Sequence, residues 1–475
     1  MTHRYLLRLR PAVQVHCEGG DLVVAGVDLP GMRSRQPGPG IVTLLDGLVQ
    51  GGQSAEQLIE CALAADPRTD VSRFYYLLSS LENKGFLTYS VAFENHSLVT
   101  LEPISRSFCF AALAHSGALR LSRFACLRRE ATKIVVESPL GHARVVLHDP
   151  CFCALLALLA APRTREALAA ALPGIVPQVL DATMALLVNA GVVFPCDGEG
   201  RIFEETDEAL RQWEFHDLLF HTRSRAGRHD YPLGGTCRFE NELSHARAVK
   251  PPMSEVRVVL YRPTSATVGP SFFEVLEARR TRREHGESPI TVHVLGEFLW
   301  RSARVQTHVA ADMEYPGSCE VTLRPYPSGG AMHELELYLT VTRCAGLEPG
   351  FYHYDPMAHE LERLADLEEV HRKLAIDAMN ASGLNQPPDV LITLAARFGR
   401  VAWKYEGVAY ALVQKDVGGL YQQMYLVATA LGLAPCGLGT GNSDIFAQAT
   451  GMDYFAETSV GDFMLSSATD LKCAV

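Results

Sequence analysis

Two stretches in the first half of the chain resemble each other, and this internal repeat is the strongest constraint on the fold. They cover residues 41–90 and 150–196. Each copy reads as a helix, a short second helix, a longer third helix, a glycine and a strand. Gly85 and Gly191 follow the two third helices, where a left-handed cap is favoured. Ser54, with Gln57 three residues later, predicts a helix N-cap.

The repeat has the pattern of a winged helix, because a short β-like stretch also precedes each copy, at 21–29 and 133–149. Most winged helices bind DNA through basic residues on the third helix. Here those helices read SRFYYLLSSLENKG and VLDATMALLVNAG, and the chain has a net charge of -11. Both facts argue against nucleic acid as a partner. We expect the modules to accept an extended peptide as an added strand, or to serve as scaffold or dimerisation modules.

The length of 475 residues exceeds what one hydrophobic core normally supports, so several domains are expected. We predict an α+β protein in which two winged-helix-like repeats precede a larger domain with a mainly antiparallel sheet and flanking helices. The predicted segments are repeat 1 at 1–105, repeat 2 at 106–215, a linker at 216–265 and the larger domain at 266–475. The linker contains His216, His221 and His229, which we predict to be solvated surface residues.

The distribution of apolar residues and cysteines predicts a cytoplasmic location. The N-terminus lacks a signal-peptide pattern, and the longest apolar run, near 151–162, is too short to span a bilayer. Twelve scattered cysteines are typical of reduced thiols. The pair Cys151 and Cys153 has no Cys/His partner at ligand spacing nearby, so we predict core residues and no metal site.

Three stretches in the second half carry the chemistry. The first is RRTRR at 279–283, which follows the apolar helix FFEVLEA and can converge on a phosphate. The second is RPYPSGGAMHELELYL at 324–339, where a glycine pair lets the backbone approach a flat ligand. The third is Lys404-Tyr405, two proton carriers followed by an apolar helix and a glycine-rich turn. Each stretch alone is weak evidence, since a solvated basic face or an ordinary loop is the simpler interpretation.

In this order, the three stretches resemble the nitroreductase fold and, more closely, SagB-type azoline dehydrogenases. RRTRR is similar to the arginine motif that grips FMN, PSGG to the loop that lies on the flavin, and WKYE to the lysine–tyrosine catalytic pair. DVGGLYQQMYLVATALGLAPCGLG looks like the cofactor helix and its closing glycine loop. The resemblance covers roughly 271–467. The duplicated modules look like the N-terminal peptide-recognition domains of some members, notably the cyanobactin oxidases.

The resemblance implies FMN as cofactor and assigns roles residue by residue. The arginine motif would hold the phosphate, ribityl chain and ring edge, the PSGG loop would pack on the isoalloxazine, and the helix and closing loop would complete the pocket. The implied cofactor-binding residues are Arg279, Arg280, Thr281, Arg283, Pro327, Ser328, Gly329, Gly330, Gln422, Gly437, Leu438 and Gly439. Lys404 and Tyr405 would be catalytic. The chain departs from many relatives at Gly418-Gly419, where they have Gly-His, and at Ala411, where they have Arg.

The implied reaction is the oxidation of peptide thiazolines or oxazolines to thiazoles or oxazoles during maturation of ribosomal peptides. A base removes the proton at the ring Cα, hydride leaves Cβ for flavin N5, and oxygen restores the oxidised cofactor. Lys404, Tyr405 or both together take the proton. The implied partners are the azoline-containing precursor peptide, the cyclodehydratase of the same pathway and a second copy of the chain in a homodimer.

Two other functions are compatible with the same motifs. One is a flavin nitro- or quinone reductase that uses NAD(P)H, since this fold can take nicotinamide without a GxGxxG fingerprint. The other is a leader-peptide-binding protein with an inert flavin fold. The sequence does not distinguish thiazoline from oxazoline, nor does it say which repeat binds peptide.

Overall fold

A computed structural model describes residues 5–26, 31–94, 96–111, 117–264, 269–312, 314–315 and 317–469. The chain divides into two compact units, 1–231 and 232–475. The predicted β-like stretch at 21–29 forms a strand up to Gly26, and its last three residues lie outside the described part of the chain. The finer domain boundaries, and the winged-helix description of each repeat, stay predictions.

The first unit contains eleven strands and eight helices among its described residues. The strands are β1 Leu6–Leu9, β2 Val13–Glu18, β3 Asp21–Gly26, β4 Met32–Ser34, β5 Leu87–Phe93, β6 His96–Pro103, β7 Leu119–Leu121, β8 Cys126–Glu130, β9 Lys133–Glu137, β10 Ala143–Leu147 and β11 Val193–Pro195. The helices are α1 Pro39–Gln50, α2 Ala55–Ala65, α3 Val71–Asn83, α4 Cys151–Leu158, α5 Arg165–Ala171, α6 Pro177–Asn189, α7 Phe203–Thr206 and α8 Phe215–Arg223.

The two repeats share one sheet and one core. The six-stranded sheet has the order β1-β5-β6-β10-β9-β8, so the hairpin β5-β6 of the first copy pairs with the strands that precede the second. A single hydrophobic cluster runs from Tyr5 to Val193, and Cys151 and Cys153 pack against it as predicted. A separate three-stranded sheet, β2-β3-β4, leaves β4 at its edge.

The predicted helix ends of the repeats are confirmed. The Ser54 hydroxyl accepts from the Gln57 amide at 3.3 Å, and the Gln57 side chain accepts from the Ser54 amide at 2.8 Å. Gly85 and Gly191 have φ values of +66° and +67°, in the left-handed region where a side chain costs energy.

One expectation for the connector is wrong. His216 and His221 are exposed, but His229 is buried, with 5% of its surface accessible. Its Nε2 lies 3.0 Å from the Arg223 carbonyl oxygen, and burial lowers its pKa. No periodic pattern marks this position in the sequence, because His229 follows a turn at 226–227 and lies outside the helices and strands.

The second unit contains eleven strands and six helices among its described residues. The strands are β12 Gly234–Gly235, β13 Arg257–Val259, β14 Thr307–Val309, β15 Val321–Leu323, β16 Leu335–Val341, β17 Gly350–Asp355, β18 Glu360–Asp366, β19 Val390–Arg397, β20 Tyr405–Glu406, β21 Leu433–Leu438 and β22 Glu457–Ser467. The helices are α9 Phe272–Ala278, α10 Val292–Ala303, α11 Glu369–Ser382, α12 Phe398–Ala402, α13 Ala409–Ala430 and α14 Ser443–Thr450. A 3-10 turn spans Gly329–Ala331.

The predicted antiparallel sheet forms the centre of this unit. Its seven strands have the order β13-β18-β17-β16-β19-β22-β21, and each described pairing is antiparallel. Helices α10 and α13 cover one face, and α11 and α14 cover the other. All seven residues of β16 are buried, because Leu337 and Leu339 pack towards the first pair of helices and Tyr338 towards the second.

Part of the predicted linker is built into the second unit. Gly234 and Gly235 pair with β20, and β13 forms an edge strand of the central sheet. The Lys250 ammonium lies 2.7 Å from the Tyr338 hydroxyl and 2.7 Å from the Glu457 carboxylate. Among the described helices, none combines the length and apolarity needed to cross a bilayer.

Packing on β16 yields a stability prediction. Leu339→Ala removes a fully buried side chain and leaves a cavity, so we expect the free energy of unfolding to fall by about 2–5 kcal/mol. Leu323→Ala is the matched control, because Leu323 lies on β15 with 47% of its surface exposed, and it should change by no more than about 0.5 kcal/mol. Denaturant unfolding measures both. Equal losses for the two variants would contradict this account of the core.

Candidate functional site

Helix α13 organises the candidate site, because both groups of predicted residues contact it. Its residues Leu412, Asp416 and Gly419 face the Ser328–Gly330 loop. Its residue Tyr425 faces the arginine stretch at 279–283. We call the two groups the loop cluster and the arginine cluster.

The loop cluster brings Lys404 and Tyr405 to the glycine pair. Tyr405 lies on β20, opposite Gly235, and the Lys404 carbonyl accepts from the Cys237 amide at 3.0 Å. Gly330 has φ +62°, and a β-carbon there would collide with the Tyr405 hydroxyl. Only glycine therefore lets the phenol lie against this turn. The Lys404 Nζ is 5.9 Å from the centre of the Tyr405 ring, so the amine and the phenol are neighbours.

The loop itself is held by α13. The Asp416 carboxylate accepts from the Ser328 hydroxyl at 2.8 Å and from the Gly329 amide at 3.0 Å. A β-carbon on Gly329 would sit 3.2 Å from the Leu412 side chain, and one on Gly419 would sit 3.3 Å from the Pro327 ring. The loop backbone therefore packs closely on the helix, which fixes the positions of Pro327, Ser328, Gly329 and Gly330.

Burial sets the protonation states in the loop cluster. Desolvation raises the pKa of the Tyr405 phenol, and the nearby Cys319 thiol and Asp416 carboxylate raise it further. The phenol is therefore protonated at neutral pH. Glu334, fully buried beside Asp416, has its pKa raised to about 7, first by burial and then by the Asp416 charge.

Arg400 links the loop to the lysine–tyrosine pair. This fully buried side chain donates to the Met332 carbonyl at 3.0 and 2.8 Å, to the Ala246 carbonyl at 2.6 Å and to the Glu320 carbonyl at 3.2 Å. Burial lowers its pKa to about 10. Since Arg400 lies on α12, just before Lys404, its bonds tie that segment to the end of the Ser328–Gly330 loop.

The arginine cluster is centred on Tyr425. The Tyr425 hydroxyl lies 2.9 Å from Thr281 Oγ1 and accepts from the Gly437 amide at 2.8 Å. The Arg279 guanidinium carbon is 5.4 Å from the centre of the Tyr425 ring. The Arg283 side chain hydrogen-bonds at the Cys436 thiol, where burial raises the cysteine pKa. The structure thus brings the arginine stretch beside the C-terminal part of β21, at Cys436 and Gly437.

The remaining predicted residues differ in exposure. Leu438 is buried, and its carbonyl accepts from the Tyr421 hydroxyl at 3.2 Å. Arg280, Gln422 and Gly439 are exposed. Among the described carboxylates, none forms an ion pair with the four arginines of 279–283, so the cluster keeps its positive charge for an anion.

An exposed stripe of α13 separates the two clusters. At about 100° per residue, Lys415, Gly418 and Gln422 lie between the face of Asp416 and the face of Tyr425. Leu412 and Tyr425 are thirteen residues apart, about 20 Å along the axis. Gly418 has no heavy atom within 4 Å of the position of an added β-carbon, so the stripe is open. This geometry suits an elongated ligand with an anion at one end and a flat group at the other.

Three residues of the site were missed by the sequence analysis. Asp416, Arg400 and Tyr425 each hold backbone groups of a distant segment. Asp416 is the only acidic residue within an otherwise apolar helical pattern, and that signal could have marked it. Arg400 and Tyr425 carry no such local signal, because their partners are far away in the chain.

Comparison with known proteins finds matches in both halves of the chain. The pattern of the nitroreductase family matches residues 276–462, and that of cyanobactin oxidase ThcOx matches residues 119–230. Protein MJ1384 of Methanocaldococcus jannaschii, which carries a provisional nitroreductase name, is 34% identical over 166 residues, or 35% of this chain and 77% of that protein.

Two further matches come from Escherichia coli. The microcin B17-processing protein McbC is 31% identical over 185 residues, which span 38% of this chain and 64% of McbC. A chain in the structure of the microcin synthetase McbBCD complex, with truncated pro-MccB17 bound, is 19% identical with a TM-score of 0.34, and the match covers 54% of this chain and 92% of that one.

MJ1384 is 34% identical to this chain, and the match covers 77% of its length, which shows a shared family. The chain therefore belongs to the nitroreductase family, with a ThcOx-like domain ahead of its nitroreductase domain.

Proposed function

We propose that this protein is an FMN-dependent azoline dehydrogenase, which oxidises thiazolines or oxazolines in a ribosomal peptide to thiazoles or oxazoles. The observation that carries the proposal is the contact of Tyr405, with Lys404 beside it, on the turn at Gly330. The likeness to McbC, a microcin-processing protein, and to ThcOx, a cyanobactin oxidase, supports a peptide substrate.

The residues of the two clusters fit FMN. The arginines of 279–283 lack carboxylate partners among the described residues and would hold the phosphate, with Thr281 and the Gly437–Gly439 loop beside them. Pro327, Ser328, Gly329 and Gly330 would support the ring, and Gln422 lies on the open stripe between the clusters. Bound FMN supplies the acceptor for the hydride that the azoline ring loses.

The chain's own contribution is to take the ring Cα proton and to orient the substrate. The Tyr405 phenol is already protonated at neutral pH, because its pKa is raised. It can donate a hydrogen bond to the azoline. Lys404, whose amine nitrogen lies 5.9 Å from the centre of the same ring, would take the ring proton in its uncharged form. The hydrogen bond from Arg400 to the Met332 carbonyl helps to hold both residues in a fixed position relative to the loop.

The first repeat offers a place for the peptide. A groove of about 860 Å³ lies between the edge strand β4 and helix α3, lined by residues that include Arg73, Tyr76 and Lys84. Arg33 of β4 is paired with Glu18 and Asp21, which leaves Arg73 and Lys84 as the cations for a ligand. An extended acidic peptide can add to β4 as a strand and place an apolar side chain on Tyr76.

We infer that the enzyme acts as a homodimer with a cyclodehydratase as pathway partner, in the cytoplasm. The α13 stripe is open, and Phe272 and Phe273 on α9, next to the arginine cluster, are 61% and 74% exposed. A second copy would cover both apolar rings and the stripe. The eleven described cysteines are free thiols, as expected in a reducing compartment.

A second candidate function is NAD(P)H-dependent reduction of nitro compounds or quinones. The likeness to MJ1384 over 77% of that protein favours it. Purified protein incubated with NADPH and a nitroarene distinguishes the two: an azoline dehydrogenase leaves the nitroarene unchanged and oxidises a thiazoline peptide without nicotinamide.

Removal of the amine tests the catalytic pair. We expect Lys404→Ala to retain bound FMN, because no hydrogen bond joins the Lys404 amine to the Ser328–Gly330 loop among the described residues. The rate of azole formation should fall by at least about 100-fold. The rate is followed by mass spectrometry of a thiazoline peptide, which loses two hydrogens. Lys373→Ala, an exposed lysine on α11, should be fully active. A fully active Lys404→Ala variant would remove the proton-acceptor assignment.

The hydroxyl of Tyr425 is predicted to organise the phosphate end. Tyr425→Phe breaks the bonds to Thr281 and Gly437, so the dissociation constant for FMN should rise about tenfold. Fluorescence quenching of added FMN measures it. Tyr454→Phe is the control, because the ring of Tyr454 packs on Phe455 at the surface and should leave the constant unchanged. An unaltered constant in Tyr425→Phe would contradict the placement of the phosphate.

Charge reversal tests the peptide groove. The double variant Arg73→Glu, Tyr76→Ala should bind the pathway's fluorescently labelled precursor peptide at least about tenfold more weakly, because it loses a cation and an aromatic contact. Anisotropy gives the affinity. Arg211→Glu, an exposed arginine outside the groove, serves as control. If both variants bind equally well, the groove is not the recognition site.

A further inference from the structure

Two carboxyl groups are buried together beneath the Ser328–Gly330 loop. Glu334 is 0% exposed and Asp416 is 6% exposed. Both carboxyl groups lie on the same Ser328 hydroxyl, whose oxygen is 2.8 Å from Asp416 Oδ2 and 3.4 Å from Glu334 Oε2. Among the described residues, no lysine, arginine or histidine forms an ion pair with either of them. Two adjacent carboxylates without a counter-charge repel each other, and their desolvation is costly.

The available protons can be counted from the hydrogen bonds. The Ser328 hydroxyl has one proton and lies 2.8 Å from Asp416 Oδ2 and 3.4 Å from Glu334 Oε2. It also accepts from the His333 amide at 2.9 Å. Its single proton therefore goes to the nearer oxygen, that of Asp416. Glu334 Oε1 has no partner among the described atoms. The two buried carboxyl groups can therefore lie this close without repelling each other only if they hold a proton of their own.

We propose that Glu334 and Asp416 hold one proton between them and act together as positioning residues for the flavin-contacting loop. Protonation of the pair leaves one negative charge, which Asp416 uses to accept from the Ser328 hydroxyl and the Gly329 amide. Loss of the shared proton places a second negative charge in the same buried space. Repulsion between the two carboxylates then weakens the hydrogen bonds between Asp416 and the loop.

The groups around the pair do not supply a replacement charge. Lys415 precedes Asp416 on α13 and is exposed. Tyr405 faces Asp416 from β20, and Tyr326 faces Glu334 from the segment before the loop; both phenols have raised pKa values and stay neutral. The Arg324 guanidinium is directed to Thr322 and to the Leu335 carbonyl. Burial and the Asp416 charge raise the pKa of Glu334 to about 7, which agrees with the proton count.

The direction of the pH effect follows from this pKa. Glu334 normally titrates at 4.5, so between pH 4.5 and about 7 the folded protein binds more protons than the unfolded chain. The contribution of the pair to stability is complete below pH 4.5 and falls as the pH rises towards 7. Above about 7 the pair carries two charges. The effect on FMN rests on the proposed function, whereas the shared proton does not.

Infrared spectroscopy of the protein without added flavin tests the proton directly. We expect bands of buried protonated carboxyl groups that disappear as the pH is raised from 5.5 to 8.5, and the component from the Glu334–Asp416 pair should be absent in Glu334→Gln. Burial raises the pKa of Asp462 to about 6, so Asp462 contributes a component in both proteins. Glu369→Gln, on the exposed face of α11, should retain the band. A spectrum of Glu334→Gln identical to that of the unaltered protein would overturn the shared proton, whether or not the protein binds FMN.

The affinity for FMN tests the positioning role. For the unaltered protein, we expect the dissociation constant for FMN to rise about tenfold between pH 6.5 and 8.5. This rise corresponds to a difference of about one unit between the pKa of the carboxyl pair in the FMN-free protein and its pKa in the FMN-bound protein. In Glu334→Gln the amide is neutral and can donate to Asp416, so the constant should stay flat and low. If the unaltered protein shows the infrared band, but its FMN affinity depends on pH in the same way as that of Glu334→Gln, the pair holds the proton without a positioning role.

Discussion

The hydrogen bonds between Asp416 and the Ser328–Gly330 loop are the interaction on which the candidate site depends. One carboxylate accepts from a hydroxyl and a backbone amide of the same turn, and so fixes the turn against α13. The Tyr405 phenol packs against this loop, because Gly330 has no side chain that would exclude it. Loss of these hydrogen bonds would move the proposed flavin support and the proposed catalytic pair together, although neither contains Asp416.

Backbone groups, rather than side-chain ion pairs, join the parts of the site. Arg400 binds carbonyl groups of three separate segments, and the Tyr425 hydroxyl binds Thr281 and the Gly437 amide. Such bonds hold the chain segments in place, while the arginine side chains of 279–283 form no ion pairs with described carboxylates. The cationic cluster consequently remains available for an anionic ligand.

Much of the fold could be predicted from the sequence, because its signals are local. Ser54 with Gln57, and the glycines at 85 and 191, marked helix ends through capping chemistry that involves only neighbouring residues. Apolar and polar residues alternate along β16, which is the pattern of a half-exposed strand, yet both faces of this strand are buried because helices cover each side of the sheet. The proximity of Tyr405 to Gly330 followed from the family resemblance. The Glu334–Asp416 pair could not be predicted, because 82 residues of chain separate two carboxyl groups that only the tertiary fold brings together.

The most direct test of the account is the absorption of the flavin when the holoprotein is mixed anaerobically with a thiazoline-containing peptide and no nicotinamide. The arrangement of Lys404 and Tyr405 on the Gly330 turn predicts that the oxidised flavin band is bleached in one turnover, with formation of one thiazole for each flavin. A band that persists with the peptide and bleaches only when NADPH is added would contradict the azoline dehydrogenase assignment.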